Sequence, residues 1–321
     1  GIGNAIVDVI APSSDDFLAD EGLAKGGMML IDEARAEQLY GRMAAGIEAS
    51  GGSAANSMAG VASLGGRAAY IGKVAADSLG QVFAHDIGAI GVTYSTAPLE
   101  SGAATARCLI NVTPDGQRTM ATFLGASVHL TPDDVDMALI EGAKITYLEG
   151  YLFDPHEARR AFAKAAGLAR ASGRLIALSL SDSFVVDRHR EALLGFIDSE
   201  VDVLLANESE LTSLFQTDDF DAAARALRGR AGLAAITRGG QGSVVLAGDE
   251  IIGVDAAPVE KVVDTTGAGD QYAAGFLLGL ATGRPLAVCG RLGSLAAAEV
   301  ISHYGPRPQV SLRDLALKAG L

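Results

Sequence analysis

Asp264-Thr265-Thr266-Gly267-Ala268-Gly269-Asp270 stands between an apolar, strand-like run over residues 251–263 and a strongly apolar helical run over residues 272–280. Small residues therefore sit where a helix begins, and an acid sits in its first turn. A first helical turn carries free backbone N–H groups and partial positive charge, which suits a phosphate. Gly267, Ala268 and Gly269 lack bulk, so backbone there can approach an anion closely. Asp270, beside that nest, is placed to take a proton from an attacking hydroxyl. Taken alone, the stretch reads either as a phosphoryl-transfer site or as an ordinary glycine-rich loop with an acidic helix start.

Upstream, the pattern becomes regular. Strands are predicted over residues 145–148, 175–180, 203–205 and 234–236, alternating with helices over 156–171, 187–197, 208–215 and 220–230. A helix start is expected at Thr131-Pro132-Asp133-Asp134. Such alternation implies an α/β fold, with a mostly parallel sheet between two helical layers. A hairpin over 243–254 and two small-residue helices, 269–281 and 285–302, complete this part. Toward the N-terminus, residues 1–10 read as a buried strand, 54–64 as a helix, 68–74 as a strand and 77–90 as a helix. Residues 105–112 and 118–124 form a hairpin about Thr113-Pro114-Asp115-Gly116-Gln117, where Pro and Asp-Gly supply the turn. The expected division is a three-layer αβα body of residues 1–8, 48–92 and 125–321, with a small β lid of residues 9–47 and 93–124. The lid would cover the carboxyl edge of the sheet, where open α/β sheets bind ligands.

Composition narrows the function. The chain has 321 residues, half of them hydrophobic, and a formal charge of −14. That charge argues against nucleic acid or an anionic membrane surface as partner. Cys108 and Cys289 are far apart, without metal spacing, and fit a reducing compartment. No run is long and apolar enough to span a membrane and no signal peptide is read, so the cytoplasm is the expected location. The chain begins inside an apolar run, and native residues are expected ahead of it.

Two nucleotide motifs fail. Gly66 to Gly72-Lys73-Val74 has one residue too many for a Walker A loop and lacks its hydroxyl. Gly1-Ile2-Gly3-Asn4 has no third glycine opening a helix, which sets aside a nicotinamide oxidoreductase. Other turns each carry two readings. Asp8 interrupts an apolar run and suits sugar hydroxyls, or caps a loop. Gly51-Gly52-Ser53-Ala54-Ala55-Asn56 opens a helix, with an amide fit for a vicinal diol or for simple capping. Asn207-Glu208-Ser209-Glu210 can order metal-bound water, or cap a helix. Thr237-Arg238-Gly239-Gly240-Gln241-Gly242 permits close approach of a nucleotide, or turns a hairpin. His303 reads as a helix-dipole partner.

These turns occur in one order at strand ends, and the pattern resembles the ribokinase-like, or PfkB, family of carbohydrate and nucleoside kinases. Gly51-Gly52 through Asn56-Ser57 to Gly65-Gly66 looks like its N-terminal signature, and Asp264 through Asp270 like its C-terminal one. Asn4 and Asp8, Gly52-Ser53 before Asn56-Ser57, residues 147–153, Leu178-Ser179-Leu180-Ser181, and residues 201–204 before Asn207-Glu208 are similar to its adenosine kinase branch. The resemblance implies transfer from ATP, with Mg2+, to a nucleoside 5′-hydroxyl. It implies Asp270 as base, Gly267, Ala268 and Gly269 as anion hole, and Arg118 as the phosphoryl clamp. Asn4, Asp8, Gly51, Gly52, Ser53 and Asn56 would hold the ribose, and Met28, Leu124 and Tyr151 the base. Asn207, Thr237, Gly240, Gly242, Thr266 and His303 would line the ATP site, with Glu210 reaching Mg2+ through water. Asp264 and Thr266 resemble the start of a monovalent-cation site, so activation by potassium is an expectation.

Thr266 departs from the Asn of eukaryotic adenosine kinases. Gln271-Tyr272 replaces the common Ala-Phe, and Glu149 resembles a ribokinase sugar contact. A sugar kinase acting on ribose, fructose or a keto-deoxy sugar acid therefore stays open as the alternative, with a non-catalytic nucleoside-binding protein behind it. An apolar slot from Met28, Met29, Leu30, Phe123, Leu124 and Leu152 favours a purine. A homodimer through the lid's strand edges is compatible with the sequence.

Overall fold

A computed structural model describes residues 1–321. The strands are β1 (Ile6–Pro12), β2 (Met28–Leu30), β3 (Ile47–Gly51), β4 (Ala68–Tyr70), β5 (Val92–Tyr94), β6 (Ala106–Val112), β7 (Arg118–Phe123), β8 (Ile145–Glu149), β9 (Leu175–Ser179), β10 (Val203–Asn207), β11 (Leu233–Thr237), β12 (Ser243–Ala247) and β13 (Glu250–Val254). The larger sheet has the order β13-β12-β11-β10-β9-β8. β8 to β11 run parallel, and β12 and β13 return antiparallel.

The larger sheet is apolar on both faces. In β10, Leu204 and Ala206 enter one core with Phe162, Leu193 and Leu211 from flanking helices. Val203 and Leu205 enter the other with Met58, Ala274 and Phe276. Burial on both faces explains why these strands read as short continuous apolar runs. The layers are those of an αβα sandwich, and the carboxyl ends of β8 to β11 share one edge.

The smaller sheet has the order β2-β7-β6-β1-β3. One face, with Val7, Val9, Leu109 and Ala121, packs on Leu18 and Leu39 of two short helices and on Leu23 of the loop that follows the first. Alternation puts Asp8, Ile10, Cys108, Ile110, Met120 and Thr122 on the opposite face. Met28, Leu30 and Ile47 share that second face and stay exposed, at 55%, 63% and 71%. β1 and β3 belong whole to this sheet, so the sequence division at residues 8 and 48 falls inside both strands.

Several expected elements differ. Residues 1–10 are not one strand. Ile2 bridges Ile71 and Leu148 beside the larger sheet, and β1 starts only at Ile6. Between them the backbone N–H of Asn4 donates to the Glu149 side chain at 3.2 Å, which removes it from any ladder. The strand over 68–74 shortens to Ala68–Tyr70 before Gly72. The run over 251–263 is strand only to Val254, since Pro258 has no N–H to pair. Thr131 to Asp134 opens only a single 3-10 turn, Pro132–Asp134, and the helix proper starts at Met137 on its own Asp136 cap. The helix over 187–197 extends to Ser183–Glu200, because Asp182 caps its start. No helix is long and apolar enough to cross a membrane.

Candidate active site

The helix Ala268–Ala281 begins on Gly267, whose φ of 79° is left-handed. The Ala268 N–H donates to the Thr265 carbonyl at 3.2 Å, whereas those of Gly267, Gly269 and Asp270 meet no protein acceptor. Ala268 is thus less available to an anion than its neighbours. Asp270 leaves this helix start half-buried. Its Oδ1 accepts from Ser53 Oγ at 2.6 Å and its Oδ2 from Asn56 Nδ2 at 3.1 Å. Ser53 and Asn56 stand in the first turn of the helix Ser53–Ser63, which starts at Gly52 where β3 ends in Gly51. The two glycine-rich signatures, far apart in sequence, thus meet at one carboxylate. Burial raises the Asp270 pKa, and the Ser53 and Asn56 donors and Arg307 pull against it.

Asp8 projects from β1 toward the same space, its carboxylate against Gly51. Burial pushes it up to about 6, while Arg307 and Arg118 lower it and Asp270 raises it. Asn4 lies beneath. Glu149, at the carboxyl end of β8, is buried; its Oε1 accepts from Asn4 Nδ2 at 2.9 Å and its Oε2 from the Ala54 N–H at 2.8 Å. With the Asn4 N–H, three protein donors bind it, so it braces Asn4 and a helix start. Burial holds its pKa up at about 7 against those donors. Glu149→Gln would turn an N–H2 group toward one of them. We expect this to lower stability by about 1–3 kcal/mol, read as a lower urea midpoint; an unchanged midpoint would remove Glu149 from this bracing role.

Arg118, at the start of β7, is buried, with Nε 3.0 Å from Asp264 Oδ2 and its guanidinium over the Tyr304 ring at 5.5 Å. Its Nη1 has no partner in the protein. Asp264 Oδ1 accepts from the Thr266 N–H and Oγ1 at 3.0 and 2.7 Å, and Oδ2 from the Gly305 N–H at 3.1 Å. That carboxylate ties its own loop to Arg118 and to the Gly305 segment.

Asn207 and Glu210 form a reciprocal capping box at the carboxyl end of β10. Glu210 is nevertheless buried, and burial, then Asp182 and Asp270, raise it to about 7. Glu210 therefore sits in negative surroundings that a hydrated divalent cation would relieve, and its carboxylate suits Mg2+ held through water. Thr237 ends β11, and Gly240 and Gly242 turn the chain into β12. Tyr151 lies in the turn after β8 and Leu124 in the turn after β7, both half-buried. His303 does not reach this edge by any bond. Its Nε2 meets Glu299 Oε1 at 3.0 Å and its Nδ1 meets the Tyr304 carbonyl, so it ties down its own segment.

Sequence reasoning missed residues 304–307. Tyr304 supports Arg118, Gly305 binds Asp264, and Pro306 packs on Gly267. Arg307 reaches Asn56 Oδ1 from Nε at 3.2 Å, and Ser50 Oγ and Asp86 Oδ2 from Nη1 at 2.7 and 3.1 Å. The only local signal was an arginine between two prolines after the last long helix.

Comparison with known proteins agrees with this geometry. Residues 29–312 match the model of the pfkB family carbohydrate kinases. An adenosine kinase from Sinorhizobium meliloti is 53% identical over 99% of this chain and 98% of its own, with a TM-score of 0.91. A probable sugar kinase from Rhizobium etli is 50% identical over 99% and 97%, with a TM-score of 0.92. Fructokinase-1 of Zea mays is 30% identical over 72% of this chain and 73% of its own. Kinases of this family use ATP, usually with Mg2+, on nucleosides or sugars. The chain belongs to the pfkB family of carbohydrate kinases and is a phosphotransferase with a ribokinase-like fold.

Proposed function

We propose that the chain transfers the γ-phosphoryl group of ATP to the 5′-hydroxyl of a nucleoside, with adenosine as the acceptor. The observation that carries this reading is the sheet face above Asp8. Exposed Met28 and Leu30 and half-buried Met120 make it apolar, and a flat base gains by covering such a surface where a free sugar does not. Below it, Asp8 and Asn56 offer an acceptor and an amide to a vicinal diol.

The chemistry then needs little rearrangement. The acceptor hydroxyl displaces a Ser53 or Asn56 donor from Asp270 and gives its proton to that carboxylate. Its oxygen bonds to the γ-phosphorus as the bond to the β,γ-bridging oxygen breaks, releasing ADP. The free Gly267 and Gly269 amides and the open Nη1 of Arg118 face the charge on the migrating group. Mg2+, held through water by Glu210, would offset charge on the donor phosphates. The lid keeps out water that would otherwise take the phosphoryl group.

An ADP-release assay across adenosine, other nucleosides, ribose and fructose tests the reading. Adenosine is expected to exceed both free sugars in kcat/KM by about two orders of magnitude or more, since a sugar forgoes the whole apolar contact. A preference for ribose or fructose would assign the site to a sugar kinase instead.

A further inference from the structure

We infer that Arg307 is a positioning residue for phosphoryl transfer: it sets the amide orientation of Asn56 and supplies the one positive charge shared by Asp8 and Asp270. This rests on the reading of Asp270 as the base. Arg307 comes from the segment after the last long helix, which neither glycine-rich signature includes. Its Nε donates to Asn56 Oδ1 at 3.2 Å, so the other end of that amide, Nδ2, must face Asp270, which it does at 3.1 Å. Without the arginine the Asn56 amide is held from one end only, by the Asp270 carboxylate, and its oxygen loses the donor that fixes its plane.

The guanidinium is itself held. Nη1 donates to Ser50 Oγ and Asp86 Oδ2, and Asp86 also accepts from the Ser50 N–H at 2.8 Å. The side chain is 17% exposed, and its Nη2 is buried with no protein partner. The whole guanidinium is therefore committed inside the site. The Asp270 carboxylate in turn raises Asp8 on β1, Glu149 on β8, Glu210 behind β10, and the phenols of Tyr147 and Tyr151. All of these are acids. Arg118 acts on Asp8 and pairs with Asp264, so Arg307 is the cation that relieves Asp8 and Asp270 together.

The two roles separate by substitution. Arg307→Met removes both, and Arg307→Lys keeps charge but not the fork that reaches Asn56, Ser50 and Asp86 at once. An ionised Asp270 is needed to accept the proton, and its pKa is already raised. Losing a neighbouring cation raises it further, so the acid limb of kcat/KM should move to higher pH by about one unit or more in Arg307→Met. In Arg307→Lys the limb should stay near wild type while the acceptor KM rises about tenfold and the ATP KM does not change. A wild-type limb in folded Arg307→Met, or a wild-type acceptor KM in Arg307→Lys, would overturn the inference. If Arg307→Met does not fold, the Lys variant alone decides by its acceptor KM. Asp270→Asn, assayed beside them, separates the two failures: normal turnover there sinks the reading of the base, whereas lost turnover with unaltered Arg307 profiles sinks only the role of Arg307.

Discussion

Asp270→Asn is expected to lower kcat by roughly 10²–10⁴ while ATP still binds. The substitution preserves size, and the helix start with its free amides remains. What it removes is the acceptor lone pair on one oxygen. The new N–H2 would face Ser53 Oγ or Asn56 Nδ2, both of which now donate to the carboxylate. The acceptor hydroxyl then has no base within reach and its proton no destination. In the parent enzyme the same logic fixes the sign of the pH dependence. Asp270 has a raised pKa through burial, so activity falls as acid protonates it. Single-turnover kinetics and ATP titration of the variant test the claim, and near-normal turnover would remove Asp270 from its role.

The second large effect is structural. Gly267→Ala is expected to cost stability and turnover together. At φ 79° an L-residue pays about 1–2 kcal/mol in backbone strain. Its Cβ would also lie 2.6 Å from Pro306 Cα and 2.7 Å from the Pro306 carbonyl oxygen. These are backbone atoms of a braced segment, because Gln271 Nε2 donates to both the Pro306 and Asn56 carbonyls. Relief of the clash moves the segment outward, and with it Tyr304 and Arg307. We expect a loss of about 2–4 kcal/mol, summing strain and overpacking, and a fall in kcat of at least about 10², as for loss of an anion-hole donor. A urea melt beside steady-state kinetics checks both. A variant as stable and as fast as its parent would show that the loop does not depend on that contact.

What was legible in the sequence was local. Strand–helix alternation showed in periodicity, and glycine turns at strand ends showed in composition, so the α/β class and the two signatures could be read directly. What stayed hidden was whatever depends on a distant partner. Glu149 read as a sugar contact because its strand-end position is visible, but the Asn4 and Ala54 donors that consume it are not. The pairing of Asp264 with Arg118 joins a loop to a strand 146 positions earlier, and no local pattern announces it. The break between Ile2 and Ile6 was hidden because its cause, the bond from Asn4 to Glu149, joins residues 145 positions apart. Arg307 carried no glycine turn, and nothing along the chain announces that it returns to Ser50 and Asn56.

The bonds from Asp270 to Ser53 and Asn56 span 217 and 214 residues, and that from Arg307 to Ser50 spans 257. During translation the amino-terminal portion therefore leaves the ribosome long before its partners exist. A nascent chain, however well its first strands have paired, has no phosphotransfer centre to misuse cellular ATP. Competence arrives only once residues 264–307 have been made and close on residues 50–56.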